Sequence, residues 1–163
     1  MSASPPVPLP EETISVRIHG SDDLVAALAA AGIEQGSAEQ GLVFAPAGEI
    51  AGPPELEQVL LDAYRLSQEA MAAQAPIVYA VDGPALYGHA GALDAALATG
   101  LLGGARSLAA EAMRKDFPVH AVTAAEDCDP RSLAAAIAWL LRSAPGTGQV
   151  IHVDSTHVGR PPA

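Results

Sequence analysis

Polar side chains that could carry acid–base chemistry lie close together in the middle of the chain. They are Asp82, Tyr87, His89 and Asp94. An imidazole beside a carboxylate is a common arrangement for proton transfer. Asp82, His89 and Asp94 are therefore a candidate site for an isomerase, dehydratase or cyclase. A loop histidine among acids is also common on a solvated surface, and the residues alone leave both interpretations open.

Other reactive residue types give weaker signals. Cys128 is the one cysteine, and the neighbouring acids Glu126, Asp127 and Asp129 disfavour its reactive thiolate form. A single cysteine cannot form an internal disulfide, which is consistent with a reducing compartment, and we expect a cytoplasmic protein. The five histidines have no spacing typical of metal ligands. We therefore expect no metal site.

Composition narrows the possible partners. The chain has 163 residues, half of them apolar and only 4% aromatic, so we expect one domain with a core of small aliphatic side chains. The net charge of −11 would repel nucleic acid and anionic membranes. No apolar run approaches the roughly 20 residues of a membrane span.

Strand-like and helix-like patterns alternate along the chain, which predicts an α/β domain with a parallel sheet. The domain is expected over residues 13–155, between a disordered N-terminal arm (1–12) and a flexible C-terminal tail (156–163). Predicted strands cover 14–18, 42–45, 76–81, 119–122 and 150–153. Predicted helices cover 22–31, 54–73, 90–115 and 131–142. Residues 34–40 are expected to be a linker.

Four glycines fall in the predicted helix 90–115: Gly91, Gly100, Gly103 and Gly104. Each glycine inside a helix destabilises it by roughly 1 kcal/mol relative to alanine. Close approach of another backbone is the best reason for keeping them. Gly100 and Gly104 are one helical turn apart, which favours a groove for helix packing.

With its elements in this order, the chain resembles the short-chain dehydrogenase/reductase family. Segments 105–111 (ARSLAAE), 118–122 (PVHAV) and 148–154 (GQVIHVD) are similar to the C-terminal half of that family. Segment 42–48 is similar to the strand that ends in the family's Asn-Asn-Ala-Gly motif, with Ala47 and Gly48 kept. The resemblance implies a reduced Rossmann-like three-layer fold with about five parallel strands.

The resemblance also implies that the catalytic positions are degenerate. The family's Tyr-x-x-x-Lys pair falls on Asp94 and Ala98, and its serine falls on Val81 or Asp82. We therefore expect a pseudoenzyme, with Asp82, His89 and Asp94 as the alternative catalytic set.

The nucleotide half is expected to be reduced as well. The family's glycine-rich turn is shortened to 19–23, where Asp22 and Asp23 would oppose a phosphate. Only the linker fits between Gly32 and Leu42, so the family's second and third strands, which hold adenosine, are expected to be missing. In the strand order 3-2-1-4-5-6 their loss leaves strand 1 beside strand 4 and the sheet continuous. We expect no cofactor, and in particular no NAD(P).

The surfaces by which family members pair are expected to be kept. They are the two long helices, and the last helix with the last strand. The sequence therefore predicts a non-catalytic subunit that forms a heterodimer or heterotetramer with a full-length short-chain dehydrogenase or ketoreductase. A homodimeric scaffold or ligand-binding protein is the other alternative, and the composition favours a GC-rich bacterial genome. The predicted interface residues are Leu97, Gly100, Leu101, Gly104, Leu108, Trp139, Val150 and His152.

Overall fold

The computed structural model describes residues 12–115, 117–125, 127–143 and 146–153, which form a parallel sheet with helices on both faces. The predicted C-terminal tail and all but Glu12 of the predicted arm lie outside these ranges. The strands are β1 (Ile14–His19), β2 (Ile33–Gln35), β3 (Leu42–Phe44), β4 (Ile77–Asp82), β5 (Val119–Ala124) and β6 (Val150–His152). The helices are α1 (Asp22–Ala30), α2 (Pro53–Ala73), α3 (Gly83–Leu86), α4 (Ala92–Ala112) and α5 (Pro130–Arg142).

The sheet has the order β2-β1-β3-β4-β5-β6, and every neighbouring pair is parallel. Strand β1 pairs directly with β3, with Arg17 opposite Leu42 and His19 opposite Phe44. This confirms the α/β Rossmann-like class. It also confirms that the first strand lies beside the strand that begins at Leu42.

One strand lies where the linker 34–40 was expected, and that prediction was wrong for its first residues. Strand β2 pairs with β1, with Ile14 opposite Ile33, on the side of β1 away from β3, where no strand was expected. Ile33 is fully buried, whereas the two residues after it are exposed. A three-residue strand with one apolar side chain has no alternation to detect, so the sheet has six strands within the described residues rather than five.

Local signals set the helix ends. Ser21 caps α1 by accepting a hydrogen bond from the Leu24 amide at 3.3 Å, and Asp129 caps α5 by accepting from the Arg131 amide at 3.0 Å. Helix α4 is shorter than the predicted 90–115 at both ends, because Gly91 lies at its N-cap and Met113 at its C-cap. The four-residue helix α3 was not predicted.

Side-chain alternation divides the core between the two faces of the sheet. Phe44 and Tyr79 pack with α2 and α4 on one face, and Val43 and Val78 pack with α1 and α5 on the other. Alanines fill much of the space, as the composition predicted. No helix in the described ranges is long and apolar enough to cross a membrane.

Arg142, at the end of α5, connects three separate segments. Its Nη1 donates to the carbonyl of Ala31 at 3.0 Å, and its Nη2 donates to the carbonyls of Gly32 at 3.0 Å and Glu12 at 3.2 Å. Gly32 has φ +77°, and a Cβ there would lie 2.8 Å from Nη2 of Arg142. The guanidinium thus fixes the end of α1 and the entry to β1 against α5.

Candidate functional site

The carboxyl ends of β4, β5 and β6 meet at one edge of the sheet, where α/β proteins usually bind ligands. Asp82 ends β4 and caps α3, since its Oδ1 accepts a hydrogen bond from the Ala85 amide at 3.2 Å. His89 is exposed, and its backbone amide donates to the carbonyl of Pro84 at 2.9 Å. Asp82 therefore has a local structural role at this edge.

Asp94 is also used structurally. It lies in the first turn of α4, and its Oδ1 accepts a hydrogen bond from the backbone amide of Ile50 at 2.9 Å. This bond ties the segment after β3 to the start of α4. Within the described ranges no hydrogen bond joins Asp82, His89 and Asp94, so the structure does not assemble them into one acid–base unit.

A different polar cluster forms at the same edge. Thr123 lies opposite His152 in the β5–β6 register, and its Oγ1 is 2.5 Å from His152 Nδ1. The Tyr87 hydroxyl is 3.4 Å from the same nitrogen. Tyr87 and His152 are exposed, but Thr123 is fully buried, so its hydroxyl positions the imidazole and is not open to a substrate. Sequence reasoning missed Thr123, because only strand register places it beside His152.

Ala98, which was expected at the family's lysine position, lies on α4 and is buried in the core. A serine–tyrosine pair does exist, but in the interior. Ser67 Oγ donates to the carbonyl of Ala63 at 2.6 Å and is also hydrogen-bonded to the Tyr79 hydroxyl. Burial raises the pKa of Tyr79, and the bond to Ser67 opposes this only in part. The pair joins α2 to β4 and lies away from solvent.

A crevice of about 320 Å³ opens at the carboxyl ends of β1 and β3. The chain leaves β1 towards one face of the sheet and β3 towards the other, so this is a topological switch point. The His19 ring stacks on Phe44 with centroids 4.4 Å apart. Asp22 and Asp23 occupy the first turn of α1 and put negative charge where a dinucleotide would place its pyrophosphate. The lining residues are Ile18, His19, Gly20, Ser21, Ala45 and Ala47.

We expect neither NAD(H) nor NADP(H) to bind the isolated chain with micromolar affinity, because Asp22 and Asp23 repel the phosphates. Isothermal titration calorimetry with each nucleotide checks this, with an active short-chain dehydrogenase as the positive control. The double variant Asp22→Asn, Asp23→Asn removes the repulsion and should bind no more weakly than the natural sequence. Saturable micromolar binding to the natural sequence would contradict the prediction.

The outer face of α2 carries an apolar groove of about 430 Å³. Its largest exposed side chains are Tyr64, 62% exposed, and Leu61, 37% exposed. We call this surface the α2 groove; it is lined by Pro53, Leu56, Glu57, Leu60, Leu61 and Tyr64.

The glycines of α4 separate into two groups. A Cβ on Gly100 would lie 3.2 Å from Leu60 Cδ2, so this glycine allows α2 and α4 of the same chain to pack closely. A Cβ on Gly103 or Gly104 would meet nothing within 4 Å. Packing inside the described chain therefore explains why position 100 is a glycine, but it does not explain the glycines at positions 103 and 104.

The remaining predicted interface residues lie in three environments. Leu97 and Leu101 are buried in the chain's own core, so their surface is not available to a partner. Leu108 on α4 is half-buried. Trp139 on α5 is exposed, and Val150 and His152 lie on β6, which is an edge strand.

Neither a metal-binding cluster nor the cysteine forms a further candidate site among the described residues. The described residues contain no group of three or more His, Cys, Asp or Glu side chains that could hold a metal ion. Cys128 is half-buried, and its Sγ lies 3.0 Å from the carbonyl of Val153.

Comparison with known proteins identifies the fold. No protein-family model matches the sequence, and no curated protein matches it. A short-chain dehydrogenase from Mycobacterium smegmatis aligns with a TM-score of 0.65 and 18% identity, over 90% of this chain and 94% of that chain. A short-chain oxidoreductase from Brucella ovis, in complex with partially ordered NAD, aligns with a TM-score of 0.64 and 16% identity, over 88% and 100%. Peroxisomal multifunctional enzyme type 2 from Drosophila melanogaster gives a TM-score of 0.66 and 16% identity, over 86% of this chain and 37% of that chain. At these identities the likeness concerns the fold.

Proposed function

Because the chain has the fold of short-chain dehydrogenases, we propose that it is a non-catalytic subunit that pairs with a full-length, active short-chain dehydrogenase or ketoreductase. It would stabilise that enzyme or complete its substrate pocket across the interface. The observation that carries the proposal is the apolar α2 groove, and the open space above Gly103 and Gly104 on α4 adds to it.

The α2 groove offers enough apolar surface for association. Burying a large apolar side chain contributes about 1.5–3 kcal/mol, and both Leu61 and Tyr64 are available for this. The empty space above Gly103 and Gly104 would let a partner helix approach the α4 backbone closely. The large exposed side chains of α2 can pack into a groove of a partner helix, and the stretch of α4 without side chains can receive the partner's own side chains.

The charge of α2 favours a different chain over a second copy. In a twofold homodimer the same surface meets itself. Helix α2 would then bring its acids towards their copies, and each chain also has a net charge of −11. A less acidic partner avoids this repulsion. The acids of α2 are Glu55, Glu57, Asp62 and Glu69, against the single base Arg65.

The positions of Asp94 and Ala98 support the absence of catalysis. One side chain holds the Ile50 amide and the other fills the core. The alternative, a nucleotide-independent enzyme that uses Asp82, His89 and Asp94, has less support, because each of the two carboxylates is bonded to a different backbone segment.

Co-expression tests the proposal. The chain is produced with full-length short-chain reductases from the same organism, and the mass of the product is measured by size-exclusion chromatography with light scattering. We expect an equimolar complex with one of them, whose activity or thermal stability falls when this chain is left out. A stable monomer that leaves every reductase unchanged would overturn the proposal.

Two substitutions at Gly104 distinguish effects on the stability of the isolated chain from effects on its association with a partner. We expect Gly104→Ala to stabilise the isolated chain by up to about 1 kcal/mol, because the added Cβ lies in open space and glycine is a poor helix former. Gly104→Leu should weaken association, because its side chain fills the space for a partner helix. Urea denaturation and titration calorimetry measure the two effects. Equal affinity of Gly104→Leu and the natural sequence would place the interface elsewhere.

A further inference from the structure

His120 is a buried histidine with incomplete hydrogen bonding. It lies on β5, its side chain is 1% exposed, and Val78 is its register neighbour on β4. Val119 and Ala121 belong to the core on the α4 side. Since side chains alternate along a strand, His120 faces the side of the sheet covered by α5.

The imidazole is placed where β5 meets the approach to β6. The Gln149 amide donates to His120 Nδ1 at 3.2 Å. On either side, the Gly148 amide donates to the carbonyl of Val119 at 2.7 Å, and the Ala121 amide donates to the carbonyl of Gln149 at 2.9 Å. Because Nδ1 is an acceptor, the ring is neutral and carries its proton on Nε2. Nε2 is buried and has no hydrogen-bond partner among the described residues.

We propose that His120 is an acid-sensitive latch: when its imidazole takes up a second proton, β6 and the preceding segment 146–149 separate from β5 while the rest of the sheet stays folded. The inference goes beyond the proposed function, since it concerns the chain itself and holds with or without a partner.

Protonation makes both ring nitrogens donors. The new N–H at Nδ1 would point at the Gln149 N–H, so the bond that now joins β5 to this segment would become a clash of two donors. The charged ring would also be buried with its Nε2–H still unbonded. Separation of the segment admits water and removes both penalties.

Among the described residues, the elements packed against His120 place no negative charge beside its ring. The charged side chains of α5 are Arg131 and Arg142, both cations, and Arg142 is directed at the carbonyls of Ala31 and Gly32. The described segment 146–149 contains no titratable side chain, and β4 carries Asp82 at its far end. His152, on β6, is bonded to Thr123. Burial accordingly lowers the pKa of His120.

Strand β6 is the weakest place in this part of the sheet. It is an edge strand of three residues, paired on one side only, and its side chains are half-buried or exposed. Strand β5 is held between β4 and β6. Local opening takes place where the fewest contacts are lost. Separation of β6 is therefore the motion that relieves the unfavourable contacts of protonated His120.

The pH range follows from the sign of the shift. Unfolded or open chains bind the proton with a pKa of about 6.5, and burial lowers the pKa of His120 in the closed state. The closed state is therefore fully stable above about pH 6.5 and loses stability as the pH falls towards the pKa of the closed state. Between the two pKa values, each unit of falling pH lowers the equilibrium constant for the closed state over the open state by up to about tenfold.

NMR spectroscopy of ¹⁵N-labelled full chain tests the latch between pH 7.5 and 5. We expect amide protection factors in 149–152 to fall by up to about tenfold per pH unit below 6.5, while those of β4 hold. In His120→Asn, Oδ1 takes the place of Nδ1 as acceptor without titrating, so protection of β6 should not depend on pH. His152→Asn is the matched control, and it should keep the dependence.

Four results would overturn the latch: protection of β6 that does not fall with pH in the natural sequence, a pH dependence that persists in His120→Asn, one that disappears in His152→Asn, or simultaneous loss of protection in β4 and β6. If His120→Asn does not fold, the test is made on the natural sequence alone. The ring signals of His120 must then titrate over the same pH range in which the β6 amides lose protection, and a separation of the two overturns the proposal.

Discussion

Tyr64→Glu is expected to weaken association with the partner reductase by at least about 30-fold, because side chains at the centre of an interface contribute about 2 kcal/mol or more. Tyr64 is 62% exposed in the α2 groove, so the change should leave the isolated chain folded. It also adds an acid to a helix that already carries four acids and one base. Titration calorimetry against the purified reductase measures the effect.

Met113→Glu is the matched control for Tyr64→Glu. Met113 is 74% exposed at the C-cap of α4, outside the α2 groove, and undergoes the same change from apolar to acidic. Its affinity should stay within about threefold of the natural sequence, since surface changes away from contacts are usually worth less than about 0.5 kcal/mol. Equal losses in both variants would mean that general charge repulsion, and not the α2 groove, controls association.

Arg142→Ala is expected to lower the free energy of unfolding by about 3 kcal/mol or more. It removes three hydrogen bonds that a charged donor makes to the carbonyls of Glu12, Ala31 and Gly32, of which Gly32 keeps its bond from the Ile14 amide. A hydrogen bond from a charged donor contributes about 1.5–3 kcal/mol, and two of the three, to the carbonyls of Ala31 and Gly32, are partly buried. Urea denaturation followed by circular dichroism measures the change.

Two further variants are needed to interpret the result of Arg142→Ala. Arg131→Ala removes the same charge at the exposed start of α5 and should change stability by less than about 0.5 kcal/mol. Arg142→Lys should recover only part of the loss, since a lysine ammonium lacks the planar fork that reaches several carbonyls at once. If Arg142→Ala and Arg131→Ala prove equally stable, the guanidinium does not fix these segments.

Much of the fold could be predicted because its determinants are local. Ser21, Pro53 and Asp129 mark helix starts within a few residues of sequence. Strand β2 could not be predicted, because its one buried residue, Ile33, becomes part of a strand only through pairing with β1. The length of α4 was overestimated because neither Gly91 at its N-cap nor Met113 at its C-cap gives a side-chain signal for the end of a helix.

The candidate site was less predictable for the same reason. Asp82 and Asp94 are close in sequence, yet each bonds to a different backbone segment. Tyr87, Thr123 and His152 are distant in sequence, and strand register brings them together. A helical pattern also cannot distinguish an apolar face that packs inside the chain from one that meets a partner.

Hydroxyl-radical footprinting of the chain alone and with its co-purified reductase tests the pairing most directly, because it reports the exposure of individual side chains. We predict that oxidation of Tyr64 and Leu61 falls several-fold on mixing, while Met113 remains as reactive as in the free chain. Unchanged oxidation of Tyr64 and Leu61 in a preparation that contains the complex would contradict the assignment of the α2 groove as the surface that binds a short-chain dehydrogenase.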